Sequence, residues 1–475
     1  MSRAAGGGRP GARRTGVLVV GAGPVGLLLA GELRVAGVPV TVVDRLAAPT
    51  TESRASQLST LTAELLAERG VDALLAEAVP EPGGHVAGLR LDLTGLPSAW
   101  AGNWKVPQYR TEAVLAERAE KLGATIHRPY ELVGLEQRDG SVRCTLDTPD
   151  GARTVEAGWV VGCDGTGSTV RELAGIATDR TAATLEMLRA DVTGVPIPTR
   201  RFERTGRGLA VAMTRDGVTR VMVHELGRPP VARAGPPSFD EVVRRWRAVT
   251  GDDIAAGTPV WVDAFDNERA LATEYRRGRV LLAGDAAHWH LPIGGQALNT
   301  GLQDAVGLGW RLAGWAPPGL LDSYARERRA VAARVLDAVA AQELLLLGGP
   351  EVDPVREVLA ELLRLEPAGR LLAEAAANLD IRYEPGDHPL VGGRLAGVST
   401  GEEPVLLRPG SPAPDRTVRL TSGCRLRLVH RDLPAAAGTS GVLLRPDGYV
   451  VWAAGGAGDA GPDAALRDWF GGTLP

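Results

Sequence analysis

The turn Gly21-Ala22-Gly23-Pro24-Val25-Gly26 restricts what this chain can fold into more than any other feature. It follows Val17-Leu-Val-Val20, an aliphatic run of the kind buried on both faces of a parallel sheet, and it opens an apolar stretch, Leu27 to Leu33, that reads as a helix ended by Gly37. Val38 to Val43 reads as a second buried strand with Asp44 at its tip, so the segment predicts a βαβ unit. Each glycine has a task in such a unit. Gly21 permits the tight turn, Gly23 lets the backbone approach a pyrophosphate, and Gly26 allows helix and strand to pack closely. The pyrophosphate of a dinucleotide then lies against the helix N-terminus, where free N–H groups favour negative charge. Asp44, with Arg45 beside it, is placed to meet a ribose. The turn alone leaves NAD and FAD as alternatives.

The rest of the chain reads as further units around this one. Thr60 to Arg69 and Thr111 to Leu122 carry helical patterns with Gly70 and Gly123 as stops. From about Leu185 to Phe265 the pattern changes to alternation, as in Gly208 to Met213 and Thr219 to His224, interrupted by one amphipathic helix, Phe239 to Ala248. Buried-strand character returns at Val280-Leu-Leu-Ala283, and long helices are expected from Ala297 to Leu347. A boundary is expected at Tyr383 to Asp387, followed by a small α/β unit with strands at Gly441 to Leu444 and Tyr449 to Trp452. Residues 1–15, rich in Gly, Ala and Arg, are expected to form a disordered tail.

With 475 residues the chain is long enough for two or three packed units, and its 44% hydrophobic and 23% charged content is that of a globular protein. A net charge of −4 gives no electrostatic case for nucleic acid or an anionic membrane as partner. Cys144, Cys163 and Cys424 are odd in number and widely spaced, which argues against a disulfide framework or thiolate metal site and for a cytoplasmic setting. No apolar run is long enough to span a bilayer. The pair His288-x-His290 lacks a Cys or carboxylate to complete a ligand set, so no metal is expected.

Two later segments separate FAD from NAD. Val160-Val-Gly-Cys-Asp164-Gly165-Thr-Gly-Ser168-Thr-Val-Arg171 resembles the DG motif of the FAD-dependent aromatic hydroxylases. Arg279-Val-Leu-Leu-Ala-Gly284-Asp285-Ala-Ala-His288-Trp-His-Leu-Pro292-Ile-Gly294-Gly295-Gln-Ala-Leu-Asn299 resembles their GD motif. The chain thus looks like a class A FAD-dependent monooxygenase of the branch that acts on polyketide aromatics and rifamycin-like substrates. The likeness runs from Gly16 to about Leu347 and includes Glu52-Ser-Arg54, Pro107-Gln108, Thr111-Glu112 and Leu321-Asp-Ser-Tyr324-Ala-Arg-Glu327-Arg328.

The resemblance implies an α/β fold. A discontinuous Rossmann-like FAD-binding domain (16–184 and 266–387) would carry an inserted antiparallel β-sheet substrate domain (185–265) and a shortened C-terminal thioredoxin-like domain (388–475) without an active cysteine pair. It implies that Asp285 binds the ribityl chain or pyrophosphate, that Arg54, Gln108 and Asp164 also contact cofactor, and that Leu132 meets the adenine side through its main chain. Pro292, Gly294, Gly295, Gln296, Ala297 and Leu298, with Asn299, would line the flavin ring, where N–H donors stabilise the reduced ring's charge. Met213, Trp289 and Pro292 are the substrate-pocket candidates; for Met213, and for Trp104, core packing is an equal alternative.

The implied chemistry is reduction of FAD by NADPH or NADH, reaction with O2 to a C4a-hydroperoxide, and transfer of one oxygen to a polycyclic, polyketide-like aromatic. No protein nucleophile is required. A Baeyer–Villiger oxidation of a polyketide ketone and a flavoprotein that binds a polyketide without turnover remain as alternatives, and the protein is expected as a monomer or homodimer. Five positions at four places depart from the family pattern. Thr166-Gly167 stands where Gly-Arg is common, Leu61 where arginine is frequent, Ala297 where glycine is usual, and Trp289 where a smaller residue is usual. The first two remove positive charge, and the last two bear on how freely a flavin ring could swing.

Overall fold

The structure, a computed structural model, describes residues 13–51, 55–317, 319–455 and 460–475. The glycine turn leaves the end of the strand Arg13–Val20, which lies parallel to Val40–Val43 on one side and to Arg153–Gly162 on the other. Thr125–His127 and Val280–Leu282 extend the parallel set outward, and a hairpin of Glu131–Arg138 and Ser141–Asp147 joins it, within a sheet of 8 strands. Val17, Leu18 and Val19 are fully buried, as a strand covered on both faces requires. The strand begins at Arg13, ahead of the expected Gly16, because pairing with Val155, Glu156 and Ala157 continues through Arg13 to Thr15. The remainder of the expected tail lies outside the described residues.

The helix Pro24–Val35 packs on the Gln296–Gly309 and Gln108–Lys121 helices. Between Leu347 and Tyr383 stand two helices that the sequence reading had not placed, Asp353–Leu362 and Glu366–Ala376. Each opens with an acidic residue and a proline, a helix-start signal.

The alternating segment forms one antiparallel sheet ordered Arg200–Thr205, Gly208–Arg215, Val218–Glu225, Glu186–Thr193 and Thr258–Asp266. One face buries Leu188, Ala190, Ala210, Ala212, Val221 and Val223 against Val242 and Trp246 of the helix Phe239–Thr250. That helix runs past the expected Ala248 to its left-handed stop at Gly251. The opposite face sets Met187, Leu209 and Val211 against Leu291, Ile293 and Val339, which seats the sheet over the segment that follows His290.

The C-terminal residues form a sheet of 5 strands between Val405 and Ala454, closed by the helix Asp463–Phe470. A buried charge network joins it to the parallel-sheet unit. Arg445 donates to Asp447 at 2.9 and 2.6 Å and to Glu327 at 2.8 Å, and Arg311 donates to Glu327 at 2.6 Å. Four rings, those of Trp310, Tyr383, Tyr449 and Trp469, surround the Arg445 guanidinium. Removing one member of a buried ion group leaves the others unpaired in a medium of low dielectric, at about 3–5 kcal/mol. Arg445→Met is therefore expected to lower the melting temperature by several degrees, which calorimetry checks.

The three cysteines are free, and burial pushes the thiols of Cys144 and Cys424 up to about 12. Among the described residues no helix is long and apolar enough to cross a membrane.

Candidate active site

Four segments distant in sequence meet at the C-terminal edge of the parallel sheet. Gly21 adopts a φ of +103°, and a Cβ there would run into the carbonyl of Cys163, next to Asp164. A Cβ on Gly26 would overlap the Gly21 carbonyl, which locks the turn to its own helix. Gly284 at φ +63° would place a Cβ 3.0 Å from Val25, and Gly301 would place one 2.8 Å from Val25 and 3.1 Å from the Gly284 Cα. Glycine at these positions is thus a packing demand. Gly23 differs, because a Cβ there would meet nothing within 4 Å. The open space beside it is bounded by the uncapped start of the Pro24–Val35 helix.

Asp44 ties the turn to the second strand. Its carboxylate accepts from the Ala22 N–H at 2.7 Å and the Leu46 N–H at 2.9 Å and pairs with Arg128 at 3.0 Å. Arg128 also donates to the Ala22 carbonyl at 3.0 Å. Nearby, Gln108 accepts from the Ala55 N–H at 3.1 Å and donates to Glu112 at 2.9 Å. Burial raises the Glu112 carboxyl, with Gln108 and Arg128 opposing.

The Gly284-Asp285 turn rests on a fully buried ionic chain. Asp304 accepts from the Gly284 N–H at 3.0 Å and from Arg328 at 2.6 Å, and it hydrogen-bonds His288 Nε2 at 2.8 Å. Arg328 continues to the Tyr383 hydroxyl at 3.1 Å and the Thr300 carbonyl at 3.1 Å. Burial works against the charge on Asp304, but Arg328 and His288 outweigh it and hold the carboxyl below its ordinary value. Asp285 itself is exposed between buried Gly284 and Ala286, on the open side of the turn.

After Pro292 the backbone turns through Gly294 and Gly295, both at φ +70°, into the helix Gln296–Gly309. Among the described residues no side chain caps this helix, whereas Ser59, Ser168 and Ser238 cap three others. Asn299 holds the entry from behind, donating to the carbonyls of Gln57 and Gly295 at 3.1 and 2.7 Å and accepting from the Ser59 N–H at 2.8 Å. A helix start of this kind leaves its first N–H groups without an intrahelical acceptor.

Residues 14–339 match the family model of the FAD binding domain, and residues 387–473 match that of the aromatic-ring hydroxylase C-terminal domain. The chain belongs to the FAD-dependent aromatic-ring hydroxylases. It is 39% identical to rifampicin monooxygenase of Streptomyces venezuelae, over 92% of this chain and 95% of that one. It is 36% identical to dialkyldecalin synthase of Streptomyces rugosporus, over 96% and 98%. The crystal structure of an aromatic hydroxylase from angucycline biosynthesis superposes with a TM-score of 0.90 at 41% identity, covering 97% of this chain and 99% of that one. Like its named monooxygenase relatives, this hydroxylase is a flavoprotein monooxygenase.

The residues present fit FAD. Two uncapped helix starts and the open cradle at Gly23 suit a pyrophosphate and an electron-rich ring edge. Buried polar atoms without a partner among the described residues also gather along this segment, at His288 Nδ1, His290 Nε2 and Thr300 Oγ1.

Other expected contacts lie in varied settings. Asp164 spends its carboxylate on its own turn, accepting from Ser168 at 2.6 Å and from the Val170 N–H at 3.1 Å; burial raises it and these bonds oppose the rise. Arg45 is exposed, Leu132 is buried on the Glu131–Arg138 strand, and Arg54 lies outside the described residues. Pro292 is exposed at the turn before the helix Gln296–Gly309. Met213 is 39% exposed at the outer end of the inserted sheet's inner face. Leu61, where arginine is frequent in the family, is buried.

Trp289 points away from His288, and two guanidinium groups lie over its ring, Arg171 at 4.9 Å and Arg180 at 5.0 Å from the centroid. Arg171 also donates to the carbonyls of Ala286 and Thr166, so it links the two aspartate turns. Trp289→Leu is accordingly expected to lower thermal stability and FAD retention while leaving affinity for an aromatic ligand within about twofold. Thermal melts and flavin absorbance titrations check this. Among the described residues no cluster of His, Cys, Asp and Glu is arranged to hold a metal ion. Sequence reasoning missed Arg128, Asp304 and the role of Arg171. Arg328 was quoted in a motif without a partner.

Proposed function

We propose that this hydroxylase transfers one oxygen atom from O2 to an electron-rich carbon of a planar, polycyclic, polyketide-like aromatic, with a reduced nicotinamide as electron source. The observation that carries the proposal is the graded inner face of the inserted sheet. Register places Leu209, His224, Met187 and Phe265 across its first row, then Val211, Met222, Arg189 and Asp263, then Met213, Arg220, Asp191 and Trp261. The first row packs toward Leu291 and Ile293 beside the cofactor segment and is largely apolar. Farther out, Arg189 pairs with Asp263 at 2.6 Å and lies over Trp261 and Phe265, and Arg220 pairs with Asp191 at 2.7 Å.

Such a face suits a flat ligand whose apolar rings lie inward and whose hydroxyl or carbonyl groups point outward. Bound FAD, reduced by the nicotinamide, would supply the activation of O2, from which one oxygen atom goes to the substrate and the other leaves as water. The chain's own residues do the rest. Leu291, Ile293, Val211 and Met222 exclude water, Arg189 and Trp261 orient the ligand, and the N–H groups at the start of Gln296–Gly309 offset negative charge on the ring edge. The parallel sheet with its glycine turn supports a Rossmann-like FAD-binding domain. The small C-terminal sheet with one lone cysteine, Cys424, supports a thioredoxin-like domain without redox function.

One alternative is a flavoprotein that binds a polyketide without turnover; a relative named for a synthase and not a monooxygenase, dialkyldecalin synthase, keeps it in view. Anaerobic mixing with NADPH or NADH separates the two. The oxygenase reading expects the oxidised-flavin absorbance to bleach, faster when a hydroxylated polycyclic aromatic is present. A flavin that neither nicotinamide reduces, with or without the aromatic, would sink that reading.

A further inference from the structure

His290 stands between the strand His288–Trp289 and the turn that begins at Pro292. It is only 8% exposed. Its Nδ1 lies 2.8 Å from the Leu291 carbonyl, and a carbonyl can only accept, so Nδ1 carries the ring proton and Nε2 is left as a bare acceptor. Burial pushes the ring's pKa down to about 4, which keeps that state at neutral pH. Nε2 is enclosed and finds no donor among the described residues. A buried acceptor without a donor weakens the fold unless a ligand supplies the missing hydrogen bond. The residues that follow supply no side-chain donor: Leu291 and Ile293 turn to the inserted sheet, and Gly294 and Gly295 carry none.

We infer that His290 Nε2 is the acceptor for a hydroxyl or N–H donor presented by a ligand in the flavin and substrate pocket. On the cofactor such donors are the ribityl hydroxyls and the ring N–H; on the substrate they are phenols. The assignment rests on the FAD site of the family and not on oxygen transfer, so failure of the oxygenase reading would leave it standing.

Two variants separate the two ring nitrogens. In His290→Asn the amide nitrogen occupies the place of Nδ1 and keeps the bond to Leu291 while the Nε2 acceptor is lost. His290→Gln reaches farther and returns an acceptor. FAD affinity is read by fluorescence titration of the apoprotein, and substrate-side affinity by absorbance titration of the holoenzyme with 1,8-dihydroxyanthraquinone and its dimethyl ether. About a tenfold weaker FAD constant in His290→Asn, recovered in His290→Gln, places the donor on the cofactor. An unchanged FAD constant with loss of the wild-type preference for the free phenol over its ether places it on the substrate. The inference is overturned if His290→Asn changes neither quantity, or if both variants lower the apoprotein melting temperature alike while ligand affinities only follow that loss.

Discussion

Alanine at Asp304 is expected to yield a protein that purifies largely without FAD and melts several degrees lower than the wild type. The carboxylate is fully buried and serves Gly284, His288 and Arg328 at once. Its loss leaves a buried guanidinium without its counter-ion, an error of about 3–5 kcal/mol. It also frees the Gly284 N–H, and with it the turn that presents Asp285. A tenfold loss in affinity needs only about 1.4 kcal/mol, so even a minor share of that penalty falling on the turn is visible in FAD binding. Asp304→Asn keeps an acceptor for Gly284 and is expected to fall between the two. Because the native carboxyl titrates below its ordinary value, this contribution is complete above the unfolded-state value of about 3.9 and is lost as pH falls through the lowered native one. Fluorescence titration with FAD and thermal melts at neutral and acid pH check these expectations.

The second large effect is a contrast within one turn. Gly26→Ala would drive a methyl group into the Gly21 carbonyl, a backbone atom that cannot move without opening the turn. Overpacking of this kind costs about 1–3 kcal/mol, and here it also displaces the helix start, so stability and FAD affinity are expected to fall together. Gly23→Ala meets nothing within 4 Å and needs no unusual backbone angle, since Gly23 has a φ of −79°. Its apoprotein is expected to melt as the wild type does, while FAD binds on the order of tenfold or more weakly because the methyl group stands where the pyrophosphate approaches. A Gly23 variant that loses apoprotein stability, or a Gly26 variant that keeps FAD, would place the cofactor elsewhere.

These two sites also mark what the sequence could tell. The turn was legible because its demands are local: glycines at fixed offsets, an aliphatic strand before them and an acidic residue at the tip of the next. The inserted sheet was legible through its period of two, and register then follows from burial of one face. The Asp304 chain was not. Its partners stand 16 and 24 residues away on other elements, and Asp304 lies in a helix almost wholly buried, where no amphipathic stripe singles it out.

Trp289 illustrates the same limit. Its position beside a flavin motif suggested an aromatic contact; what the sequence did not show is that its ring meets Arg171 and Arg180, which no spacing rule connects to it. Asp164 was read as a cofactor contact; its carboxylate also caps the short helix that follows, a use the pattern Asp-x-x-x-Ser could have suggested. The helices Asp353–Leu362 and Glu366–Ala376 carried a readable proline signal that went unused.

The central claim is transfer of oxygen from O2, and isotope incorporation tests it most directly. Turnover under 18O2 with NADPH and a polycyclic phenol, followed by mass spectrometry, is expected to give a product carrying one heavy oxygen, with NMR showing a new hydroxyl on an intact ring. A product with the substrate's own elemental composition, formed without label and without nicotinamide consumption, would contradict the account.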